Sequence, residues 1–206
     1  MILCDVGNTS YHFLDVENDY KESVKLFKPE NIIEKVYYIC VNPDVEKILK
    51  TLDNWIDLSL YVDMKNYYST MGIDRIVACE AILNGVVVDA GSAITVDVVK
   101  NGVFQGGFIS PGVVAMRQTY KNISTVLDYK FNYNLDLETL PKNSQDAISY
   151  GYLKTLYNEV VSHKQDIYLT GGDASKLKNL FSDATIDETL IFDGMRKIIE
   201  KQRKFC

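Results

Sequence analysis

The sequence of 206 residues predicts an α/β protein made of two lobes of the same design. Each half of the chain opens with three short apolar or alternating runs at hairpin spacing, which is the pattern of a three-strand meander. In each half the first run ends in a similar motif, Asp5-Val-Gly-Asn-Thr and, 84 residues later, Asp89-Ala-Gly-Ser-Ala. We therefore expect one lobe over residues 1–84 and a second over residues 85–206, with no long linker between them.

The first lobe is expected to begin with strands. Apolar or alternating runs predict strands at 2–6, 11–16 and 22–27, and Gly7-Asn8 is the turn signal between the first two. Further apolar runs at 36–41 and 58–62 flank a helical stretch over 43–52. A second helix is predicted over 73–83, at the end of this lobe.

The second lobe repeats this opening and then becomes helical. Strands are predicted at 86–89, 94–99 and 103–110, and Pro111 is expected to start a helix that runs to about residue 124. A long amphipathic helix is predicted over 144–164, followed by a strand at 167–169. A short helix, a strand at 190–192 and a last helix with a basic face over 196–204 complete the prediction.

Composition restricts the functions open to the chain. With 28 acidic and 22 basic residues the net charge is −6, which argues against binding to nucleic acid or to an anionic membrane surface. Two histidines and four widely spaced cysteines do not favour a zinc site, a histidine-based triad or a disulfide framework. The sequence has neither a run of 18 apolar residues nor a basic region typical of a signal peptide, so we expect a cytoplasmic protein.

The first motif, Asp5-Val-Gly-Asn-Thr, has the residue types of an anion-binding turn. A glycine in a tight turn between strands lets backbone N–H groups approach an anion closely, and a neighbouring hydroxyl adds a donor. A carboxylate at the end of the strand can hold a hydrated Mg²⁺ that bridges phosphate oxygens. The alternative is an ordinary hairpin turn in which Asn8 and Thr9 satisfy only local backbone groups.

Two further elements extend this pattern to a nucleotide. The second motif, Asp89-Ala-Gly-Ser-Ala, places a similar turn in the other lobe, and two such turns can grip a polyphosphate from both sides. Thr170-Gly171-Gly172 follows a predicted strand, and an adenine can lie on its bare backbone. Taken alone, that glycine pair is typical of any turn from a strand to a helix. The three elements in this order favour ATP binding.

With these elements in order, the sequence resembles the superfamily of actin, hexokinase, Hsp70 and acetate kinase. Within that superfamily it resembles the type III pantothenate kinases over residues 1 to about 173. The segments that carry the resemblance are Asp5-Val-Gly-Asn-Thr, Gly72-Ile-Asp-Arg, Asp89-Ala-Gly-Ser-Ala-Ile-Thr-Val-Asp, Gly106-Gly-Phe-Ile-Ser-Pro-Gly and Asn143-Ser-Gln-Asp-Ala-Ile-Ser-Tyr-Gly. The resemblance implies two ribonuclease-H-like lobes with ATP in the cleft between them, homodimers formed through the second lobe, and phosphorylation of pantothenate from ATP.

The resemblance also implies roles for individual residues. Asp74 matches the general base, and Gly72, Ile73, Asp74 and Arg75 match the pantothenate site together with Ser144. A tyrosine before this tetrad contacts pantothenate in the family, and either Tyr67 or Tyr68 matches it. Asp89 matches the ligand of a monovalent cation, K⁺ or NH₄⁺, and Ser92 matches a nucleotide contact. The residues that match the first nucleotide-phosphate loop are Asp5, Val6, Gly7, Asn8, Thr9, Ser10, Tyr11 and His12.

The chemistry of phosphoryl transfer agrees with these roles of the matched residues. The reaction needs mainly positioning and charge stabilisation, with one carboxylate to orient or deprotonate the attacking hydroxyl. Asp74 is expected at a loop-to-helix boundary, where its carboxylate can face a cleft, and Arg75 is a candidate charge partner for substrate. Two alternatives stay open: another small-molecule kinase of the superfamily, and a nucleotide-binding homologue without turnover.

Overall fold

The structure of the protein, a computed structural model, describes residues 1–203, so Lys204 and Cys206 lie outside the described residues. The strands are β1 (Ile2–Val6), β2 (Ser10–Leu14), β3 (Asp19–Ser23), β4 (Val36–Cys40), β5 (Trp55–Asp57), β6 (Gly85–Ala90), β7 (Ala93–Lys100), β8 (Val103–Pro111), β9 (Ile167–Thr170) and β10 (Thr185–Ile186). The helices are α1 (Pro43–Leu49), α2 (Ile73–Glu80), α3 (Val113–Ile123), α4 (Ser144–Ser162), α5 (Ala174–Leu177) and α6 (Leu190–Arg203). None of these helices is long and apolar enough to cross a membrane.

One unit consists of residues 1–82 together with α6. Its sheet has the order β3-β2-β1-β4-β5, in which β1, β2 and β3 are antiparallel and β4 and β5 are parallel to β1. The central strand β1 has apolar side chains on both faces, as expected for a strand covered on both sides. Leu3 belongs to the cluster with α2 and α6, whereas Cys4 and Val6 belong to the cluster with Tyr11, Tyr38 and Trp55.

The other unit, residues 83–188, repeats this topology. Its sheet has the order β8-β7-β6-β9-β10, with β6, β7 and β8 antiparallel and β9 and β10 parallel to β6. One face of this sheet packs in a core that includes the apolar side of α4, with Leu153, Leu156 and Val160 buried. The two sheets share strand order and direction, so the predicted α/β class and the repeated ribonuclease-H-like lobe design are confirmed.

The last helix falls in a different unit from the one predicted. Phe192, Met195 and Ile198 lie on the apolar face of α6, which packs in the cluster of Leu3, Ile39 and Val77 of the first unit. The backbone of Gly194 lies so close to Val77 that a β-carbon there would overlap the Val77 carbonyl. The predicted second lobe, 85–206, therefore ends earlier in the structure, at residue 188, and α6 joins residues 1–82.

Several predicted elements are corrected by the structure. The strand predicted at 190–192 is wrong, because Leu190, Ile191 and Phe192 form the first turn of the apolar face of α6. The run at 58–62 is a 3₁₀ helix, Leu58–Tyr61, which is capped by the Asp57 carboxylate, and the strand lies before it as β5. The third strand of the first meander ends at Ser23 and does not extend to residue 27. Pro111 closes β8, and α3 begins after Gly112.

Candidate nucleotide and acceptor site

The first Asp-x-Gly turn joins β1 to β2 and leaves its polar residues exposed. The Gly7 N–H donates to the Ser10 carbonyl at 3.0 Å, which closes the turn. Asn8 and Thr9 are exposed, and the Asn42 side chain donates to the Asn8 carbonyl at 3.5 Å. Asn42 also caps α1, because its side-chain oxygen accepts from the amides of the first helical turn. The turn therefore keeps exposed polar groups while its backbone is tied to a neighbouring helix.

The side chains around this turn divide between the two faces of the sheet. Val6 and Tyr11 are buried in the core, and burial raises the pKa of Tyr11 to about 12. The side chains of these two residues are therefore not available to a nucleotide. Asp5 and His12 are direct cross-strand partners on the other face and are half-buried. His12 Nε2 lies 2.7 Å from an Asp19 carboxylate oxygen.

The second predicted site lies at the start of α2. Gly72 is the N-cap residue in an extended conformation, and the Arg75 N–H donates to Asp74 Oδ1 at 2.8 Å. The Asp74 carboxylate folds back over the α-carbon of Gly72, where a β-carbon would lie 2.5 Å from Oδ1. The first turn of a helix is a favourable place for a carboxylate side chain. The glycine thus makes room for the carboxylate predicted to act as the base.

Two adjacent tyrosines contact opposite ends of α2. The guanidinium of Arg75 is buried and donates from Nη1 to the Tyr68 hydroxyl at 2.6 Å, with Cζ 5.9 Å from the centre of the ring. The Tyr67 hydroxyl instead donates to Glu80 Oε1 at 3.0 Å. Tyr68 is 45% exposed, whereas Tyr67 is half-buried. Of the two tyrosines left open by the sequence, Tyr68 is therefore the one that lies beside Arg75.

In the second unit, the Asp89–Ser92 turn is packed closely against Gly112. The Gly91 N–H donates to the Ala93 carbonyl at 2.9 Å, and the Gly112 N–H donates to the Ser92 carbonyl at 2.9 Å. A β-carbon on Gly112 would overlap the carbonyl oxygens of Gly91 and Ser92. Ser92 itself is exposed. Pro111-Gly112 thus positions α3 beside the turn.

The glycine pair lies against the same turn. Gly171 has a φ of +84°, which a glycine adopts readily, and a β-carbon there would overlap Asp89 Oδ1. The Asp173 N–H donates to the Ala90 carbonyl at 2.8 Å. A β-carbon on Gly172 would meet no atom within 4 Å, so its backbone is open on that side. The structure therefore brings together the second Asp-x-Gly turn and the Gly-Gly element within one unit.

Ser144 is the first residue of α4 and is exposed. The preceding Asn143 caps the helix, since its side-chain oxygen accepts from the Asp146 N–H at 2.9 Å. The Asp146 carboxylate in turn accepts from the side-chain amides of Asn132 at 2.8 Å and Asn143 at 2.7 Å. These hydrogen bonds lower the pKa of Asp146, with Asn132 contributing most. The start of α4, and Ser144 with it, is held in place by this network.

The donor set suits hard cations better than zinc. Within residues 1–203, no group of three or more His, Cys, Asp or Glu side chains is arranged to hold a metal ion. Asp89 Oδ1 and the Ala90 carbonyl both lie against the α-carbon of Gly171, so a carboxylate and a carbonyl oxygen are close to each other. Oxygen ligands of this kind fit Mg²⁺ or a larger monovalent cation. Cys4 and Cys40 are free thiols.

The sequence reasoning missed residues that support this site. Glu80 accepts a hydrogen bond from Tyr67 and another from Lys201. Nothing in the local sequence around Glu80 or Lys201 indicates that these two residues are in contact. Asn42 could have been found, because Asn-Pro before an apolar run is a helix-start signal. These three residues support the site through hydrogen bonds to its other residues.

These features define a class of protein. Two sheets of the same topology, each with a carboxylate-glycine turn after its first strand, and a glycine pair beside the second turn are the marks of the two-lobed, actin-like nucleotide-binding fold.

Comparison with known proteins places the chain more narrowly. The family model described as type III pantothenate kinase matches residues 34–164. A type III pantothenate kinase from Sulfurimonas denitrificans is 62% identical over 201 residues, which cover 98% of each chain. Another from Campylobacter jejuni is 41% identical over 203 residues, covering 98% of this chain and 97% of that one. The chain belongs to the type III pantothenate kinase family.

A solved structure supports the fold at similar identity. The crystal structure named for a Baf family transcriptional activator from Campylobacter jejuni is 40% identical, with a TM-score of 0.89. The match covers 99% of this chain and 100% of that one.

Proposed function

We propose that the chain transfers the γ-phosphoryl group of ATP to pantothenate and forms 4′-phosphopantothenate, the first step of coenzyme A biosynthesis. Membership of the type III pantothenate kinase family supports this function. The observation that carries the proposal is the start of α2, where Asp74, Arg75 and Tyr68 lie together. This arrangement offers a carboxylate for an attacking hydroxyl and a cation for a carboxylate or phosphate.

In the proposed reaction, Asp74 acts as the general base. Its carboxylate accepts the proton of the pantothenate primary hydroxyl while the hydroxyl oxygen forms a bond to the γ-phosphorus. The bond from that phosphorus to the β–γ bridging oxygen breaks, and ADP leaves with the electron pair. Because the transition state of phosphoryl transfer is loose, positioning contributes more than proton removal early in the reaction.

Pantothenate is held by the residues around Asp74. Arg75 supplies a charge-assisted donor for the pantothenate carboxylate or the transferred phosphoryl group, and the Tyr68 hydroxyl sets its direction. Gly72 and Ile73 form the backbone of this site, and Ser144 contributes a hydroxyl at the start of α4. Tyr68 is the substrate tyrosine in this proposal, since the Tyr67 hydroxyl is engaged by Glu80.

The two Asp-x-Gly turns are each assigned contacts to ATP. Residues 5–12 bind its phosphates, and Ser92 contacts the nucleotide. Asp5 would hold a hydrated Mg²⁺, and Asp89 with the nearby Ala90 carbonyl would hold K⁺ or NH₄⁺. These cations, when bound, neutralise phosphate charge and so favour transfer.

We also propose that the protein forms a homodimer through the second unit. Exposed apolar side chains lie on and after α3, including Val114, which is 76% exposed, and Val126, which is 73% exposed. A contiguous exposed apolar patch is typical of a contact surface, and we propose that these side chains belong to one. Light scattering of the wild type and of Val114→Asp tests this, and a monomeric wild type would contradict it.

ADP release by the purified protein tests the function. ADP should form with pantothenate and Mg²⁺ present, should not form without pantothenate, and should form faster in K⁺ or NH₄⁺ than in Na⁺. A panel of sugars and carboxylates as acceptors tests for another small-molecule kinase. ATP binding without turnover on any acceptor would point to a non-catalytic homologue. Equal rates in K⁺ and Na⁺ would remove the role proposed for Asp89.

A further inference from the structure

The segment that carries Tyr68 is held against α2 by a side-chain hydrogen bond of the preceding residue, Tyr67. Tyr67 is extended, and its N–H donates to the Met64 carbonyl at 3.1 Å, while the Met71 N–H donates to the Tyr68 carbonyl at 3.0 Å. These backbone bonds are local and shape the segment. The Tyr67 hydroxyl, by contrast, reaches 13 residues along the chain to Glu80, the last residue of α2. Tyr67 therefore fixes the segment relative to the helix that carries Asp74.

Glu80 is itself held from the other side by α6. Its second carboxylate oxygen, Oε2, accepts from Lys201 Nζ at 2.5 Å, and the Glu80 side chain is 16% exposed. One turn earlier on α6, Lys197 Nζ donates to the Ala81 carbonyl at the end of α2. Cations at the carboxyl end of a helix are favourable because they oppose its dipole. One oxygen of the Glu80 carboxylate thus accepts a hydrogen bond from Lys201, and the other accepts one from Tyr67.

The two tyrosines give α2 a contact at each end. Tyr68 contacts Arg75 in the first turn, and Tyr67 contacts Glu80 in the last. If the Tyr67 contact is lost, the Tyr68 side chain, 45% exposed, loses part of the support for its position over Arg75. The Arg75 guanidinium is buried, so a change in its hydroxyl partner changes the direction of its remaining donors.

We propose that Glu80 is a positioning residue for the acceptor site, which acts through Tyr67 to set the Tyr68–Arg75 pair. The inference rests on the proposed function, because Arg75 and Tyr68 bind the acceptor there. Glu80 touches no substrate in this scheme. Its main effect is therefore on the KM for pantothenate, and the KM for ATP is not altered.

Steady-state kinetics of four variants test the proposal. Tyr67→Phe and Glu80→Ala should each raise the KM for pantothenate by about three- to tenfold, which is the scale of one ordinary hydrogen bond. Glu80→Gln keeps an oxygen that can accept from Tyr67, so its KM should stay within about twofold of the wild type. The double variant Tyr67→Phe/Glu80→Ala should be no worse than either single variant, because both remove the same contact.

Two controls separate positioning from general loss of structure. Tyr61→Phe removes the hydroxyl of another tyrosine of the same unit, 43% exposed, and should leave every constant unchanged. Lys47→Met removes the ion pair with Asp44 elsewhere in the same unit, whose lysine is 76% exposed, so the KM should stay within about twofold. Direct titration of pantothenate by calorimetry should show the same ratio of affinities as the KM values.

The outcomes decide between the inference and the function on which it rests. A wild-type KM for Tyr67→Phe, additive effects in the double variant, or equal changes in the KM for ATP would overturn the inference. A wild type that releases no ADP with pantothenate would instead overturn the proposed function. A selective rise in the KM for pantothenate, rescued in Glu80→Gln, supports both.

Discussion

The contact between Gly72 and Asp74 allows the position of the proposed base to be changed without changing its chemistry. A β-carbon at residue 72 would lie 2.5 Å from Asp74 Oδ1 and 3.6 Å from Cγ. Ordinary contact begins at 3.4 Å, so the carboxylate oxygen must move by about 0.9 Å in Gly72→Ala. The backbone at residue 72, with φ −60° and ψ 139°, accepts alanine without strain.

The expected result is an enzyme that is folded but slow. Because alanine replaces glycine at an N-cap, stability should fall by no more than about 1 kcal/mol. A misplacement of about 1 Å can cost on the order of 10²-fold in rate, so kcat should fall by about that factor. The KM for ATP should not change, since the substitution touches only the acceptor side of the proposed mechanism.

Coupled ADP release and thermal unfolding measure the two effects side by side. Gly151→Ala on α4 is the matched control, because its β-carbon would meet only the Tyr120 hydroxyl, at an ordinary 3.8 Å. That control should keep a wild-type kcat. A folded Gly72→Ala with kcat within twofold of the wild type would refute the reasoning about geometry. An unfolded Gly72→Ala would show that the contact is structural instead.

Three further predictions follow from the site and its supports. Asp74→Asn should bind ATP and pantothenate while kcat falls by about 10²–10⁴-fold, and near-normal kcat with both ligands bound would mean that Asp74 only positions substrate. Asp5→Ala and Asp89→Ala should weaken nucleotide use with circular dichroism unchanged, whereas the exposed control Asp53→Ala should not; loss of fold in either would make that carboxylate structural. The pKa of Asp146 is lowered in the folded state, so its stabilising effect is complete above the unfolded value of 3.8 and is lost as the pH falls through the folded value. The melting temperature of Asp146→Asn should accordingly depend less on pH below 3.8 than that of the wild type, and parallel curves would contradict this.

The sequence predicted an element correctly where the spacing of its apolar residues agrees with the turn and cap residues at its ends. Three parts of the fold show this agreement: the meanders, the helix at Pro43 and the long helix from Ser144. In each, the apolar residues follow a single spacing, and turn or cap residues stand at the ends. The strand predicted at 190–192 is wrong because three consecutive apolar residues fit a buried strand as well as a helix. Only the packing of this segment against Val77 and Leu3 decides between the two structures. The strand predicted at 58–62 is wrong for a related reason. The Asp57 side chain caps a 3₁₀ helix in this segment, and such a local hydrogen bond competes with the pairing of strands.

The candidate site was predictable only as far as its motifs reach. Asp5, Asp74 and Asp89 each stand in a short motif with its own chemical logic. Glu80 and Lys201 do not, because they meet only when α6 packs on α2, and no local signal at either residue records a contact 121 positions apart. The choice between Tyr67 and Tyr68 likewise depends on which hydroxyl Glu80 engages, which is a tertiary contact.

The two Asp-x-Gly turns share a motif but place different demands on the fold. At Gly7 a β-carbon would meet only the Ser10 carbonyl, at 3.7 Å, so the first turn is held mainly by its own hydrogen bond. The second turn lies between Gly112 and Gly171, where a β-carbon on either would overlap its backbone or Asp89. Because a packed backbone has few alternative positions, Asp89 and its neighbouring carbonyl are fixed before a ligand arrives. Such preorganisation suits the proposed monovalent cation, which does not itself impose a coordination geometry. The more open first turn, with Asn8 and Thr9 exposed, suits the proposed contact with phosphates.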